Sequence, residues 1–278
     1  MKQMEKNSVA AYLRDLEEQE RSAATIEKYG RALERFLQWL PEGRLDKSSV
    51  IRYKEFLSER YAPAGVNVAL AALNGFFRFL GWHDCVVKPL SIQRKIFSSV
   101  DRELSREEYR RLVQAAEKKK DTRMVLLLQL MASTGIRVSE IRYVTTEAVE
   151  KKMVCIRLKG KVRTILLPER LCAKLRKYRK ERKISCGSIF LTRTGRIMGR
   201  KEIWVQMKRL CQCADVSEQK VFPHNLRHLF ARTFYAAQKD IAKLADMLGH
   251  SSVETTRIYL MESGWEHRRI LEKLCLLC

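Results

Sequence analysis

Across its 278 residues the chain lacks any apolar run long enough to cross a bilayer. Its greasiest stretch, MVLLLQLMA at 124–132, is far too short for that and reads as a buried helix. The N-terminus, MKQMEKNSVAAYLRDLEEQ, is charged from the start and has no apolar signal-peptide core, so a cytoplasmic protein is expected. A disulfide framework is missing too. The eight cysteines, at 85, 155, 172, 186, 211, 213, 275 and 278, are scattered, which suits a reducing compartment. Cys211 with Cys213 and Cys275 with Cys278 are the only close pairs, and neither has the regular Cys/His spacing of structural zinc. No metal and no cofactor is expected. There is no internal repeat and no low-complexity tract.

Acidic residues are also short: 32 Asp and Glu stand against 55 Lys and Arg, a formal charge of +23. Folding does not require that excess, and self-repulsion makes it mildly costly, so a polyanionic partner explains it best. Nucleic acid leads. An anionic membrane surface is second and is weakened by the missing apolar span.

What is present is helical periodicity, almost unbroken over the first ninety residues. Val9, Tyr12, Leu13 and Leu16 form one stripe. Ile26, Tyr29, Leu33, Phe36, Leu37 and Leu40 form a second, with Ser22 and Thr25 at its start. Asp46 caps a third helix carrying Val50, Tyr53, Phe56 and Leu57. Val66, Leu70, Leu73, Phe76, Phe77 and Leu80 make a fourth, ended by Gly81. An all-α domain is predicted over 1–88. A basic, weakly periodic linker interrupted by Pro89 follows over 89–103. A second domain spans 104–278 and opens on Ser105 and Glu108 at capping-box spacing. It reads as helical except for strands MVCIRL and TILLP around the basic turn KGKVR, and a third strand SIFLT at 188–192. The fold class is therefore mainly α with a small antiparallel β-sheet.

Four stretches of the second domain carry side chains suited to phosphate. In STGIRVSEI a glycine breaks one helix and Arg137 opens the next. Arg137 is either a surface arginine paired with Glu140 at i+3, or a guanidinium fixed from behind by Glu140 so that its fork takes a phosphate. In PHNLRH, His224 and Arg227 share a helix face just after a proline. His224 and His228 also share a face, but no HExxH glutamate accompanies them. Lys159, Lys161 and Arg163 line the hairpin tip, where a lysine can protonate a leaving oxygen or merely be solvated. In LGHSSVETTRIYL, Gly249 ends a helix, Ser251 and Glu254 have capping-box spacing, and Tyr259 follows His250 by nine positions. An ordinary phenol, with a pKa of about 10, needs cationic or hydrogen-bonding neighbours to act as a nucleophile near neutrality. Together these groups form a metal-free kit for phosphoryl transfer.

TGIRVSEI, the KGKVR hairpin, HNLRH, LGHSSVETT and the tyrosine after it resemble, in that order, the tyrosine recombinase or phage integrase family. SAATIEKYGRALERFLQWL and NVALAALNGFFRFLGW resemble its helical core-binding domain, so the likeness covers nearly the whole chain. The resemblance implies catalytic roles for Arg137, His224, Arg227 and His250, a supporting role for Glu140, and Tyr259 as nucleophile. The hairpin lysine it implies is Lys159 by the downstream strand; Lys161 stays open because the turn is one residue shorter than usual. Leu229 departs from the Ser or Thr common in relatives, which implies altered packing rather than lost activity.

The implied reaction is attack of tyrosine on a DNA phosphodiester, giving a 3′-phosphotyrosine, then strand exchange and religation without ATP or metal. The partners implied are double-stranded DNA core sites, a homotetramer on synapsed DNA and accessory DNA-bending proteins, in the cytoplasm at the nucleoid. An apolar tail over 266–278 packs either in cis or onto a neighbour. The core-binding helices begin near residue 8, which leaves no room before them for an arm-binding domain. That points to a compact recombinase or to a chain without its first domain. The rival activities are relaxation of DNA by type IB topoisomerase chemistry and silent DNA binding on the same fold.

Overall fold

The computed structural model describes residues 2–40, 44–92, 103–158, 161–250 and 252–260. The chain divides into two compact units, Met1–Arg94 and Lys95–Cys278.

The first unit is built on four helices, α1 (Lys6–Glu18), α2 (Ala23–Trp39), α3 (Lys47–Arg60) and α4 (Pro63–Phe79). Their starts follow local chemistry. The Ser22 hydroxyl accepts from the Thr25 N–H and the Asp46 carboxylate from the Ser49 N–H, each satisfying a donor the helix leaves open. Pro63 occupies the first turn of α4, where its missing N–H costs nothing. The predicted apolar stripes converge on one core: Val9, Tyr12 and Leu16 meet Leu33, Phe36, Val50, Tyr53, Leu57, Leu70, Leu73, Phe76 and Phe77. Phe36 and Tyr53 lie 4.8 Å apart at its centre.

Two features of this unit were not predicted. A short antiparallel pair, β1 (Lys2–Gln3) with β2 (Arg44–Leu45), ties the N-terminus beside α3. Asn67 and Asn74, two turns apart on α4, each hold an extended residue by both amide groups. Asn74 pairs with Val87 at 2.8 and 3.0 Å, and Asn67 with Leu90 at 2.9 and 2.7 Å. The asparagines thereby supply the backbone partners that a neighbouring strand would otherwise provide.

The second unit opens with α5 (Arg106–Lys118), whose N-terminus shows the predicted reciprocal bonds between Ser105 and Glu108. α6 (Thr122–Thr134) contains the MVLLLQLMA stretch and is buried nearly all round. A 3₁₀ turn (Val138–Tyr143) and α7 (Thr146–Glu150) lead into the hairpin of β3 (Met153–Leu158) and β4 (Lys161–Leu166). Its register runs from Met153 opposite Leu166 to Leu158 opposite Lys161. Then come α8 (Glu169–Glu181), α9 (Arg200–Lys208), α10 (Cys211–Ala214), α11 (Pro223–Gln238), α12 (Ile241–Leu248) and α13 (Val253–Arg257). A last 3₁₀ turn covers Ile258–Leu260. α11 packs along α6 at the heart of the unit.

The mainly helical architecture with a small antiparallel sheet is as predicted, but the third strand is not. Residues 188–192 make only isolated bridges, Thr145 with Ser188 and Leu191 with Ile197. Ile189 and Phe190 are both fully buried, so the segment does not alternate between two faces. Its backbone bonds go to Val144 on one side and to its own turn at Met198 on the other, so no ladder grows. Among the described residues no helix is long and apolar enough to cross a membrane. The apolar tail over 266–278 lies outside the described residues.

Candidate active site

α6 stops at Gly135, which takes a left-handed conformation (φ 61°) and bonds back to Met131. A side chain there is excluded on space alone, since a Cβ would lie 2.5 Å from the Phe230 ring. Two residues on, Arg137 stands in extended conformation at the threshold of the 3₁₀ turn, not inside an α-helix. Glu140 reaches back from that turn. Its Oε2 accepts from the Arg137 backbone N–H at 2.8 Å, and its Oε1 accepts from Arg137 Nη1 at 2.9 Å. The carboxylate is buried while the Arg137 side chain stays 38% exposed. The result is a fork held from behind with its open side toward solvent.

α11 supplies the next group. Pro223 sets its first turn, and His224, Arg227 and His228 follow on one side. Arg227 is 1% exposed, yet its guanidinium is well partnered. Nη1 donates to Gly135 O at 2.5 Å, Nη2 donates to Leu248 O at 2.8 Å, and Nε donates to Tyr259 Oη at 3.3 Å. Nη2 also lies 2.8 Å from His250 Nε2. A guanidinium can only donate, so Nε2 is the acceptor there and the His250 proton sits on Nδ1. Nδ1 is 2.9 Å from the hydroxyl of Thr256, a fully buried residue of α13. His250 is thus a neutral imidazole in a defined tautomer.

The His250 turn follows from α12. That helix ends at Leu248, and Gly249 takes the left-handed C-terminal position (φ 62°), as predicted. α13 then starts at Val253, and Ser252 rather than Ser251 caps it, accepting from the Glu254 N–H at 3.2 Å. The helix begins one residue later than the Ser251–Glu254 spacing implies, and Ser251 lies outside the described residues. Tyr259, 6% exposed, is carried at the far end. Its ring centroid is 5.5 Å from His224, 4.4 Å from His228 and 5.5 Å from His250.

Burial and positive neighbours shape the titration of these groups. His250 is pushed down to about 4 by desolvation first and then by Arg227, Arg137 and Arg163. His228 is likewise pushed to about 4, by burial and then by His224 and Arg227. His224 keeps an edge open to solvent, yet the protein around it and the charges of Arg227 and Arg137 lower its pKa as well. All three imidazoles are neutral near pH 7. Arg227 is lowered chiefly by burial.

Arg137, Glu140, His224, Arg227, His250 and Tyr259 are therefore gathered in one place. Lys159 lies outside the described residues, and of Lys161 only the backbone, the first position of β4, is described. Arg163 sits differently from its predicted place. It does not line the hairpin tip but turns inward, 12% exposed, with Nη1 2.5 and 2.6 Å from the two Glu140 oxygens. Strand parity carried the signal, since Arg163 shares its face with Ile165 and Leu167, both buried. Thr256 had no signal in the sequence. The charges of Arg137, Arg163 and Arg227 against the single Glu140 carboxylate leave a strong positive field, suited to an anionic oxygen that Arg137 and Arg227 can meet. Among the described residues no three His, Cys, Asp or Glu side chains gather as a metal site.

The "Phage integrase family" matches residues 102–264, and the "Phage integrase, N-terminal SAM-like domain" matches residues 2–84. Tyrosine recombinase XerA of Thermococcus kodakarensis is 30% identical over 272 residues, covering 91% of this chain and 92% of its own. Tyrosine recombinase XerC of Roseiflexus castenholzii is 29% identical over 277 residues, covering 90% and 87%. Among solved structures, the XerH site-specific recombinase bound to difH substrate aligns with a TM-score of 0.70 at 20% identity, covering 96% of this chain and 88% of that one. A lambda integrase dimer bound to a COC′ core site aligns with a TM-score of 0.73 at 17% identity, covering 91% and 76%. These two share the fold.

Proposed function

The chain belongs to the phage integrase family and is a tyrosine-type site-specific DNA recombinase, and we propose that Tyr259 is its nucleophile. The observation that carries the assignment is the bond from Arg227 Nε to Tyr259 Oη, made within one protomer and beside His250 on the same guanidinium. A scissile phosphate entering between Arg137 and Arg227 meets donors for its non-bridging oxygens. Tyr259 Oη then bonds to phosphorus, and the phenol proton passes to a neutral imidazole, for which His224 has the open edge. The bond from phosphorus to the 5′-oxygen breaks, and that oxygen takes a proton from the hairpin lysine, Lys159 or Lys161. The products are a 3′-phosphotyrosine and a free 5′-hydroxyl. Attack by a 5′-hydroxyl from a partner duplex reverses these steps and exchanges the strands, with no net change in phosphodiester number.

Arg227 already spends four of its five N–H groups within the protein. A phosphate that engages Nη2 displaces His250, and the new negative charge raises that imidazole's pKa so that Nε2 can donate. The resting site is thus self-plugged by His250 and Tyr259. We further place the core-binding domain at 1–88, the linker at 89–103 and the catalytic domain at 104–278. We assign the chain double-stranded core sites, a homotetramer on synapsed DNA and a role in mobile-element or chromosome recombination. The crystallised lambda integrase tetramer on a Holliday junction supports the tetramer by kinship. DNA relaxation and silent binding are not favoured, because the relatives are named recombinases.

Incubation with a nicked suicide half-site in EDTA tests the assignment. The wild type is expected to accumulate a denaturation-resistant protein–DNA complex, and Tyr259→Phe none.

A further inference from the structure

The C-terminal end of α12 is held in an unusual way. Its last carbonyls and that of Gly249 have no partners within the helix and form the negative end of its dipole. Three successive carbonyls face three different arginines. Met247 O is 3.5 Å from Arg163 Nη2, Leu248 O is 2.8 Å from Arg227 Nη2, and Gly249 O is 3.4 Å from Arg137 Nη2. Two of these arginines belong to the proposed reaction centre. Arg163 does not.

Arg163 instead joins three structures. It belongs to β4, opposite Ile156. Its Nη1 reaches both oxygens of Glu140, the carboxylate that also holds the Arg137 backbone and guanidinium. Its aliphatic stem and Nε lie flat against Gly249, where a Cβ would stand 2.4 Å from Nε and 2.5 Å from Cδ. That Nε is buried with no hydrogen-bond partner among the described residues. Such a site is a costly way to add stability, because a charged group has been taken out of water and its donors are incompletely used. Burial lowers the Arg163 pKa to about 10, which still leaves the guanidinium charged near neutrality.

We propose that Arg163 is a positioning residue for the recombination chemistry: it aligns Arg137 through Glu140 and sets the His250 turn through Gly249. Without it, Glu140 loses its strongest partner and is free to swing, Arg137 loses its fixed heading, and the turn carrying His250 loses its backing. The effect falls on the groups that meet the non-bridging oxygens, not on the proton donor at the leaving oxygen. This inference rests on the recombinase chemistry proposed above.

The test compares Arg163→Met, which keeps the stem, and Arg163→Lys, which keeps the charge, with the full-length wild type on three suicide half-sites. One has an ordinary scissile phosphate. The second has a methylphosphonate there, which removes the charge of one non-bridging oxygen. The third has a 5′-bridging phosphorothiolate, whose sulfur leaves without needing a proton. Arg163→Met is expected to form covalent complex about 10- to 100-fold more slowly on the ordinary site, the scale of a misaligned catalytic group. Its half-site affinity and melting temperature stay near wild type, and Arg163→Lys falls in between. The deficit shrinks on the methylphosphonate and persists on the phosphorothiolate. A deficit that disappears on the phosphorothiolate overturns the proposal, since Arg163 would then act through the hairpin lysine. An equal deficit on all three sites, with weakened half-site binding and a lowered melting temperature, also overturns it by making the role structural only. Wild-type rates in both variants sink it as well, while failure of the wild type itself to form any complex condemns the recombinase reading instead.

Discussion

Arg227 and Tyr259 touch within a single protomer: Nε of a guanidinium 1% exposed donates to the phenol oxygen across 3.3 Å. The contact fixes the phenol oxygen beside the guanidinium proposed to meet the scissile phosphate. The same guanidinium ties Gly135 at the end of α6 to Leu248 at the end of α12. It therefore places the nucleophile relative to both flanking turns.

Because the phenol lies in its own protomer's site, cleavage is expected in cis. Mixing Tyr259→Phe with Arg227→Ala on a suicide substrate that binds two protomers should give no covalent complex. Complementation to near wild-type levels would mean that the nucleophile is delivered to a neighbour.

Gly249→Ala places a Cβ against Arg163 at a left-handed position. The conformational strain costs about 1–2 kcal/mol, and displacement of Arg163 disturbs the turn that carries His250. We expect a lower urea midpoint and a cleavage rate reduced about 10-fold or more. Single-turnover rates measured beside urea melts check both effects.

Stability should fall on mild acidification. His228 and His250 have folded pKa values near 4, below the ordinary histidine value of 6.5. The unfolded chain therefore takes up protons at pH values where the folded site refuses them. Their contribution is complete above about pH 6.5 and is lost progressively as pH falls toward 4. Between pH 7 and pH 5 the unfolding free energy should drop by about 2 kcal/mol for each histidine, on the order of 3–4 kcal/mol for the pair. His228→Gln should flatten part of that slope in urea titrations at the two pH values.

Leu229 is buried in the core of the second unit. Leu229→Thr introduces a hydroxyl into that core and should cost about 2 kcal/mol in thermal or urea unfolding. Covalent complex formation by the folded fraction should stay within about threefold of wild type, because Leu229 belongs to the main core cluster and not to the one that holds Tyr259.

Much of this was legible in the chain itself. The helices of the first unit follow apolar stripes with caps at Ser22 and Asp46, so periodicity and local chemistry agree on their positions. The groups of the site sit next to punctuation that physics makes conspicuous: Gly135, Pro223 and Gly249. What escaped was long-range. The Asn67 and Asn74 clasps depend on residues 13 to 23 positions away. The segment 188–192 has a strand's composition but is buried on both faces without a strand partner. Arg163 looked like a solvated hairpin cation because its partner, Glu140, is 23 residues distant. Only the two-residue alternation of β4 marked it as inward-facing.

The most direct test of the account is peptide mapping of the covalent complex trapped in EDTA on a suicide half-site. Trypsin releases the segment Ile258–Arg268, which contains a single tyrosine. A nucleotide-bearing adduct on Tyr259 is expected in that peptide, and none from Tyr259→Phe. An adduct on any other residue, or one that persists in Tyr259→Phe, would contradict it.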